Sequence, residues 1–360
     1  MIHKKILITG GAGFIGANLA VMLKKNYPSL HVFALDNLKR RGSELNLPRL
    51  KEAGVEFIHG DVRCREDLFG ALDSPENLLL IECSAEPSVL AGVGSSPEYL
   101  INTNLIGLIN CLEFARIYKA SLLFLSTSRV YPIAELNRIK TRETDSRFEI
   151  DARQKIPGVS RFGISEKFPL MGYRSLYGAT KLSGEHFIQE YVNLYKIKAI
   201  INRCGLITGP WQMGKVDQGI VAYWLLSHIF GKKLSFIGYG GKGKQVRDFL
   251  FIEDLFGALK KQILNFDKFN GEVYNLGGGR GNSFSLLELT EACRKATRKK
   301  IKIGSVKETR PFDVRTYISD SGKFMRSSGW QPRVGLEEGL ERMHDWVLRN
   351  KEELKSLFSF

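Results

Sequence analysis

Short, wholly apolar runs alternate with longer stretches of helical periodicity through the first third of the chain. Ile6–Thr9, Val32–Asp36, Val55–His59, Leu78–Cys83 and Leu122–Ser126 predict strands, and a sixth falls near Ala199–Arg203. Runs without polar alternation suit strands covered on both faces. Between them, Ile15–Lys25, Thr103–Lys119 and Tyr177–Tyr195 carry helical periodicity. This alternation predicts a doubly wound α/β fold with a parallel sheet. The last two helices are apolar on more than one face, so one face of each is expected to pack against a second subunit.

The pattern then changes. Residues 132–176 form a 45-residue stretch, about one-third charged, which is unusually long for a connection and reads as a functional loop or lid. Beyond Gly209 the chain mixes aromatic, Gly and Lys residues up to Arg247, and a helix starts at Glu253-Asp254. After Gly277-Gly278-Gly279 come smaller mixed units that end in a helix at Leu336–Lys351, with no internal repeat. This C-terminal part reads as a second, smaller α/β lobe.

Composition narrows the classes. With 360 residues and 43% apolar content the chain can bury a large core. No apolar run reaches the roughly 18 residues of a membrane span, and the N-terminus goes directly into a strand-like run, so a cytoplasmic address without membrane attachment is expected. Five scattered cysteines with no CxxC or HExxH pairing argue for reduced thiols and against a metal site. Lys and Arg number 53 against 38 Asp and Glu, a formal +15, which asks for an anionic partner.

Two motifs supply chemistry. Gly10-Gly11-Ala12-Gly13-Phe14-Ile15-Gly16 follows the first strand and opens the first helix, where small residues let the backbone turn tightly and approach a pyrophosphate. Asp36, 20 residues beyond Gly16 at the end of the second strand, is placed to accept hydrogen bonds from an adenosine ribose. Its charge favours NAD over NADP, although Lys39-Arg40-Arg41 could pair with an extra phosphate. Asp61-Val62, after the third strand, is placed to meet the adenine. The second motif is Tyr177-Gly178-Ala179-Thr180-Lys181. Residues four apart share a helix face, so the Lys181 ammonium can lower the Tyr177 phenol from about 10 toward neutrality and make it a base. Ser126-Thr127-Ser128, closing the fifth strand, offers a third hydroxyl, and two of these three are expected merely to terminate the strand.

Together with Val130-Tyr131, Gly209-Pro210 and Arg247-Asp248, these motifs resemble the extended short-chain dehydrogenase/reductase family of sugar-nucleotide epimerases and dehydratases, over nearly the whole chain. The segments from Asp36 to Ser43, Glu143 to Arg147, Asp217 to Gly219 and Gly243 to Asp248 resemble its branch of CDP-paratose 2-epimerases. The resemblance implies a Rossmann-type NAD-binding domain at 1–205 and 249–276, and a sugar-nucleotide-binding lobe at 206–248 and 277–360. It implies an NAD-dependent isomerase that oxidises and re-reduces a nucleotide-linked sugar, most closely at C2 of CDP-paratose to give CDP-tyvelose. Tyr177, Lys181 and Thr127 would be catalytic. Gly10, Gly13, Phe14, Ile15, Gly16, Asp36, Asn37, Arg40, Asp61, Val62, Ser84, Ala85 and Asn104 would hold NAD with Tyr177 and Lys181. Asn104 matches the family's Asn that opens a helix beneath the cofactor. Thr127, Ser128, Gln218, Gln245, Arg247, Arg310 and Asp313 would hold substrate, the two arginines embracing its diphosphate. A homodimer or homotetramer through the two long helices is the family expectation.

Departures refine this. The dehydratase branch carries an Asp-Glu pair after the Thr, whereas Ser128-Arg129 stands here and leaves no acid to protonate a departing hydroxyl. Leu206 and Thr208 replace residues typical of 4-epimerases, which disfavours the alternative of a UDP-sugar 4-epimerase. Glu82 stands where many relatives have His, and neither it nor Glu86 receives a role. The basic run Arg294–Lys302 lacks interleaved aromatics and reads as a solvated helix end. A non-catalytic dinucleotide sensor or RNA-binding protein is the alternative from another class, and the Tyr177/Lys181/Thr127 set speaks against it.

Overall fold

The structure, a computed structural model, describes residues 3–213 and 218–357; Asp217 lies outside the described residues. The chain forms two compact units, one from Met1–Thr127, Leu176–Arg203 and Phe256–Val273, the other from Ser128–Ser175, Cys204–Leu255 and Tyr274–Phe360. Among the described residues no helix is long and apolar enough to cross a membrane.

Five strands of the first unit fall within one residue of the predicted runs: β1 (Lys5–Thr9), β2 (His31–Asp36), β3 (Glu56–His59), β4 (Leu78–Glu82) and β5 (Ser121–Thr127). With Ala199–Cys204 and Val273–Leu276 they make a seven-stranded sheet ordered β3, β2, β1, β4, β5, then Ala199–Cys204, then Val273–Leu276. The pairs β3·β2, β2·β1, β1·β4 and β4·β5 are all parallel. The strand order turns back between β1 and β4, which opens a crevice at their carboxyl ends. Leu7, Leu80, Leu112, Phe114 and Phe124 are fully buried in the core beside the sheet. Each contributes on the order of 1.5–3 kcal/mol by leaving water.

The helix predicted at Thr103–Lys119 starts earlier than its periodicity suggested. Pro97 caps Glu98–Ile101, which passes through a π turn at Asn102–Ile106 into Gly107–Tyr118. Asn104 therefore lies inside the helix and does not open it. A π turn inserts one residue into the helical repeat, which lets a side chain leave the regular face.

The helix Leu176–Tyr195 is tied to the sheet by charge as well as by apolar packing. Glu185 takes the Arg203 guanidinium at 2.6 Å, with side chains only 2% and 6% exposed, and accepts a 2.5 Å hydrogen bond from the Ser126 hydroxyl.

The second unit is built around the strand Val246–Phe251, paired in parallel with Leu206–Thr208 and Thr316–Tyr317 and antiparallel with Ser283–Ser285. Ser285 and Glu288 form a reciprocal capping box at the start of the helix Leu286–Thr297. The basic run coincides with that helix's end, where Arg298 takes a left-handed conformation and Lys295 pairs with Glu337 at 2.9 Å. Residues 132–176 are not one open loop. They hold a short helix, Ile133–Arg138, and the hairpins Thr141–Glu143 with Phe148–Ile150 and Val159–Ser160 with Gly163–Ile164. Lys244 donates to Glu143 at 2.9 Å and Arg147 to Ser283 at 2.5 Å, anchoring the first hairpin within this unit.

Because Glu185 has no water to turn to, Arg203→Met should destabilise the protein by roughly 3–5 kcal/mol. Urea unfolding followed by circular dichroism measures this, and a loss below about 1 kcal/mol would contradict it.

Candidate active site

The glycine turn lies where the crevice opens. Gly10 has φ +63°, and a Cβ there would meet the Cys83 carbonyl oxygen at 2.8 Å, so β1 and the segment after β4 approach as only glycine permits. A Cβ on Gly16 would run into the Gly10 backbone. The helix Phe14–Asn26 begins at Gly13 with neither a capping side chain nor an acidic residue in its first turn, which leaves its leading amides suited to an anion.

Asp36 reaches back to this turn. Its carboxylate accepts the Ala12 amide at 3.1 Å and the Leu38 amide at 2.8 Å. Burial pushes its carboxyl above the ordinary range, and these amides oppose that. Asn37 donates to Asp61 at 2.8 Å, and Asp61 also binds the Arg63 guanidinium at 2.6 Å. Val62 is buried beside them. Lys39, neighbour of Arg40, stands 3.7 Å over the Tyr99 ring, which draws one member of the basic trio onto an aromatic face. Two supports escaped the sequence reading. Buried Asn46 donates to the Ala12 carbonyl at 2.9 Å, and Arg49, pulled down to about 10 by burial, donates to Asn18 at 2.9 Å. A polar pair on a short helix gives no periodic signal.

Thr127 ends β5 and is buried, while Tyr177 is half-buried at the start of its helix. Of the three neighbouring hydroxyls, Ser126 is committed to Glu185. Lys181, 2% exposed, pairs at 3.3 Å with Glu82 at the end of β4. Asn104 accepts the Glu86 amide at 2.8 Å and donates to the Glu86 carbonyl at 3.1 Å and to Thr180 at 3.3 Å. It thus links the segment after β4, which carries Ser84 and Ala85, to the Tyr177 helix. Glu82 and Glu86, left without roles by the sequence, are structural partners here; the only signal was a charge ending an otherwise apolar run.

In the second unit, Arg247 donates to Asp313 at 2.6 Å, and the Asp313 amide donates to the Arg310 carbonyl at 3.3 Å, which places Asp313 and Arg310 in one turn. Gln245 donates to the Ile237 carbonyl at 2.8 Å, and its buried Oε1 has no partner among the described residues. Ser128 opens the turn Ser128–Val130, and Gln218 is half-buried just past the undescribed residues. Among the described residues no cluster of His, Cys, Asp and Glu could hold a metal.

A parallel sheet with a glycine turn at its switch point and a Tyr-x-x-x-Lys helix defines a Rossmann-type dinucleotide enzyme. The chain belongs to the NAD dependent epimerase/dehydratase family, which it matches over residues 6–277. It is 28% identical to CDP-paratose 2-epimerase of Salmonella typhi over 95% of this chain and 99% of that one. It is 27% identical to dTDP-glucose 4,6-dehydratase of Salmonella typhimurium over 99% of this chain and 96% of that one. Among solved structures, UDP-glucuronic acid 4-epimerase from Bacillus cereus, in complex with UDP-glucuronic acid and NAD, superposes with a TM-score of 0.77 at 25% identity, covering 96% of this chain and 99% of that one. The protein is an NAD-dependent enzyme of sugar-nucleotide chemistry.

Burial opposes ionisation of Asp61, but the Arg63 guanidinium and the Asn37 amide outweigh it and bring the carboxyl down to about 2. A carboxylate whose folded pKa lies below the unfolded value of about 3.9 stabilises the fold above that pH and loses the contribution as pH falls to the folded value. Between pH 5 and pH 2 the wild type should lose more stability than Asp61→Asn. Equal losses in paired urea titrations would contradict the assignment.

Proposed function

We propose that this enzyme inverts a hydroxyl-bearing carbon of a nucleotide-linked sugar, C2 of CDP-paratose to give CDP-tyvelose. The observation that carries the reading is the catalytic turn itself, in which Thr127 is followed by Ser128-Arg129 while the Tyr177/Lys181 pair is complete. That set can oxidise and re-reduce a carbinol but offers no acid at this position to expel water. The whole-length match to a CDP-paratose 2-epimerase supports the choice of base and carbon. Buried Thr208, which donates at 2.9 Å to Gln212, supports the disfavouring of a 4-epimerase.

In this reading the first unit holds the cofactor and the second the sugar nucleotide. Bound NAD supplies the hydride acceptor and, later in the turnover, the donor. Gly10, Gly13, Phe14, Ile15 and Gly16 take the pyrophosphate on backbone amides. Asp36 with Asn37 takes the adenosine ribose, and its charge excludes a 2′-phosphate, with Arg40 at the edge. Asp61 and Val62 line the adenine, and Ser84, Ala85 and Asn104 the remaining dinucleotide. Tyr177 removes the hydroxyl proton, Lys181 stabilises its phenolate and holds the nicotinamide ribose, and Thr127 orients the same hydroxyl. Arg247 and Arg310 bind the diphosphate. Asp313 keeps the Arg247 guanidinium in place, and Ser128, Gln218 and Gln245 contact the rest. A homodimer through Gly107–Tyr118 and Leu176–Tyr195 belongs to the same proposal, supported by the exposed apolar residues Ile117, Phe187, Leu194 and Tyr195.

Product analysis with CDP-paratose and UDP-glucuronic acid tests the substrate, and turnover of the UDP-sugar alone would replace the reading with a 4-epimerase. Tyr177→Phe should lower turnover roughly a hundredfold to ten-thousandfold while NAD stays bound; undiminished turnover removes Tyr177 from the chemistry. Heat-denatured protein should release NAD, and recovery of NADP would show that Lys39-Arg40-Arg41 outweighs Asp36.

A further inference from the structure

We propose that Glu82 is the positioning residue for Lys181, its carboxylate anchoring the ammonium to the sheet so that the remaining N–H groups keep a fixed direction. The inference rests on the reading of Lys181 as the partner of Tyr177 and of the nicotinamide ribose. Glu82 ends β4, in register between Thr9 of β1 and Phe124 of β5, at the middle of the sheet. Its carboxylate and the Lys181 ammonium are 3.3 Å apart, and both side chains are 2% exposed. The same ammonium lies 4.4 Å from the Phe124 ring centroid, so it meets a π face beside the carboxylate.

The surroundings leave the pair to itself. Glu185, one turn further along the helix, is committed to Arg203 and Ser126. Cys111, fully buried on Gly107–Tyr118, feels both charges, and burial pushes its thiol well up, so it stays neutral. The Ser84 amide donates to the Glu82 carboxylate; burial pushes the Glu82 carboxyl up and Lys181 draws it back. Tyr177 is the remaining titratable group of this helix face.

A buried ammonium without a partner tends to give up its proton, and Lys181 is useful to a phenolate only while charged. A protonated lysine has three donors, and Glu82 takes one, leaving two to be aimed. Stability alone does not call for such a pair, because an apolar pair of similar size serves at least as well in a core. An acid at this place in the sheet is therefore read as serving the lysine's orientation and charge.

The test compares NAD-loaded wild type, Glu82→Met and Glu82→Gln, each labelled with 15N in its lysine side chains. A lysine ammonium gives a sharp signal only where exchange with water is slow, and Lys181→Met identifies the one from Lys181. The wild type should show that signal. Glu82→Met should lose it and raise the NAD dissociation constant about tenfold, a loss of the size expected for one charge-assisted contact. Glu82→Gln, which restores an acceptor without the charge, should fall between. An undiminished signal in Glu82→Met, or NAD affinity equal in all three proteins, overturns the proposal. If Glu82→Met does not fold, the comparison is wild type against Glu82→Gln, and indistinguishable signals and affinities overturn it. Neither readout uses a sugar, so failure of the substrate reading shows separately, as a wild type that turns over no CDP-sugar while the lysine comparison stands.

Discussion

Charges buried along one face of the Leu176–Tyr195 helix fix that helix against the sheet of the first unit. Lys181 is locked to Glu82 at the end of β4, and Glu185 to Ser126 on β5 and Arg203 on the strand Ala199–Cys204 beyond it. Such pairs contribute little net stability compared with apolar packing, but a carboxylate out of water cannot accept a shifted partner without large cost. The helix therefore has one register against the sheet. Tyr177, one turn before Lys181 on the same face, inherits that register.

The cofactor end depends on a second economy of groups. Asp36 is both the ribose candidate and an acceptor for the amide of Ala12, so the residue expected to choose the dinucleotide also shapes the loop that would receive its phosphates. Asn46 closes the same loop from another side through the Ala12 carbonyl. Asn104 does comparable work for the segment after β4, joining Glu86 to Thr180 on the Tyr177 helix. The π turn around Asn102–Ile106 is the local irregularity that accommodates it. These tethers leave the loop ends of the crevice with few alternative conformations.

Six of the seven strands of the sheet were legible because each is a short, largely apolar run bounded by turn residues, whereas the edge strand Val273–Leu276 escaped the sequence reading. The glycine turn, Asp36 and the Tyr177/Lys181 spacing were legible because they follow from one strand end or one helix face. Less visible were features that need two distant segments. Glu82 looked like an unexplained charge until Lys181 came to lie against it, 99 residues on. The start of the long helix was misplaced for the same kind of reason: Glu98–Ile101 is too short to show periodicity by itself, and the π turn interrupts the pattern that follows. The 132–176 stretch read as a lid because its hairpins are only two or three residues per strand and draw support from Lys244 and Ser283, far away in sequence.

By itself the sequence determined the doubly wound fold class, the glycine turn after the first strand and the placing of Tyr177 and Lys181 on one helix face, since these rest on local periodicity and fixed spacings along one element. Only the tertiary structure decided which charges are neutralised, and by which partners. It committed Ser126 to Glu185 and set Glu82 behind Lys181, and it joined Arg247 to Asp313. The physical reason is that the energy of a charge depends on its distance to partners and its removal from water, and both are set by how the strands and helices come together.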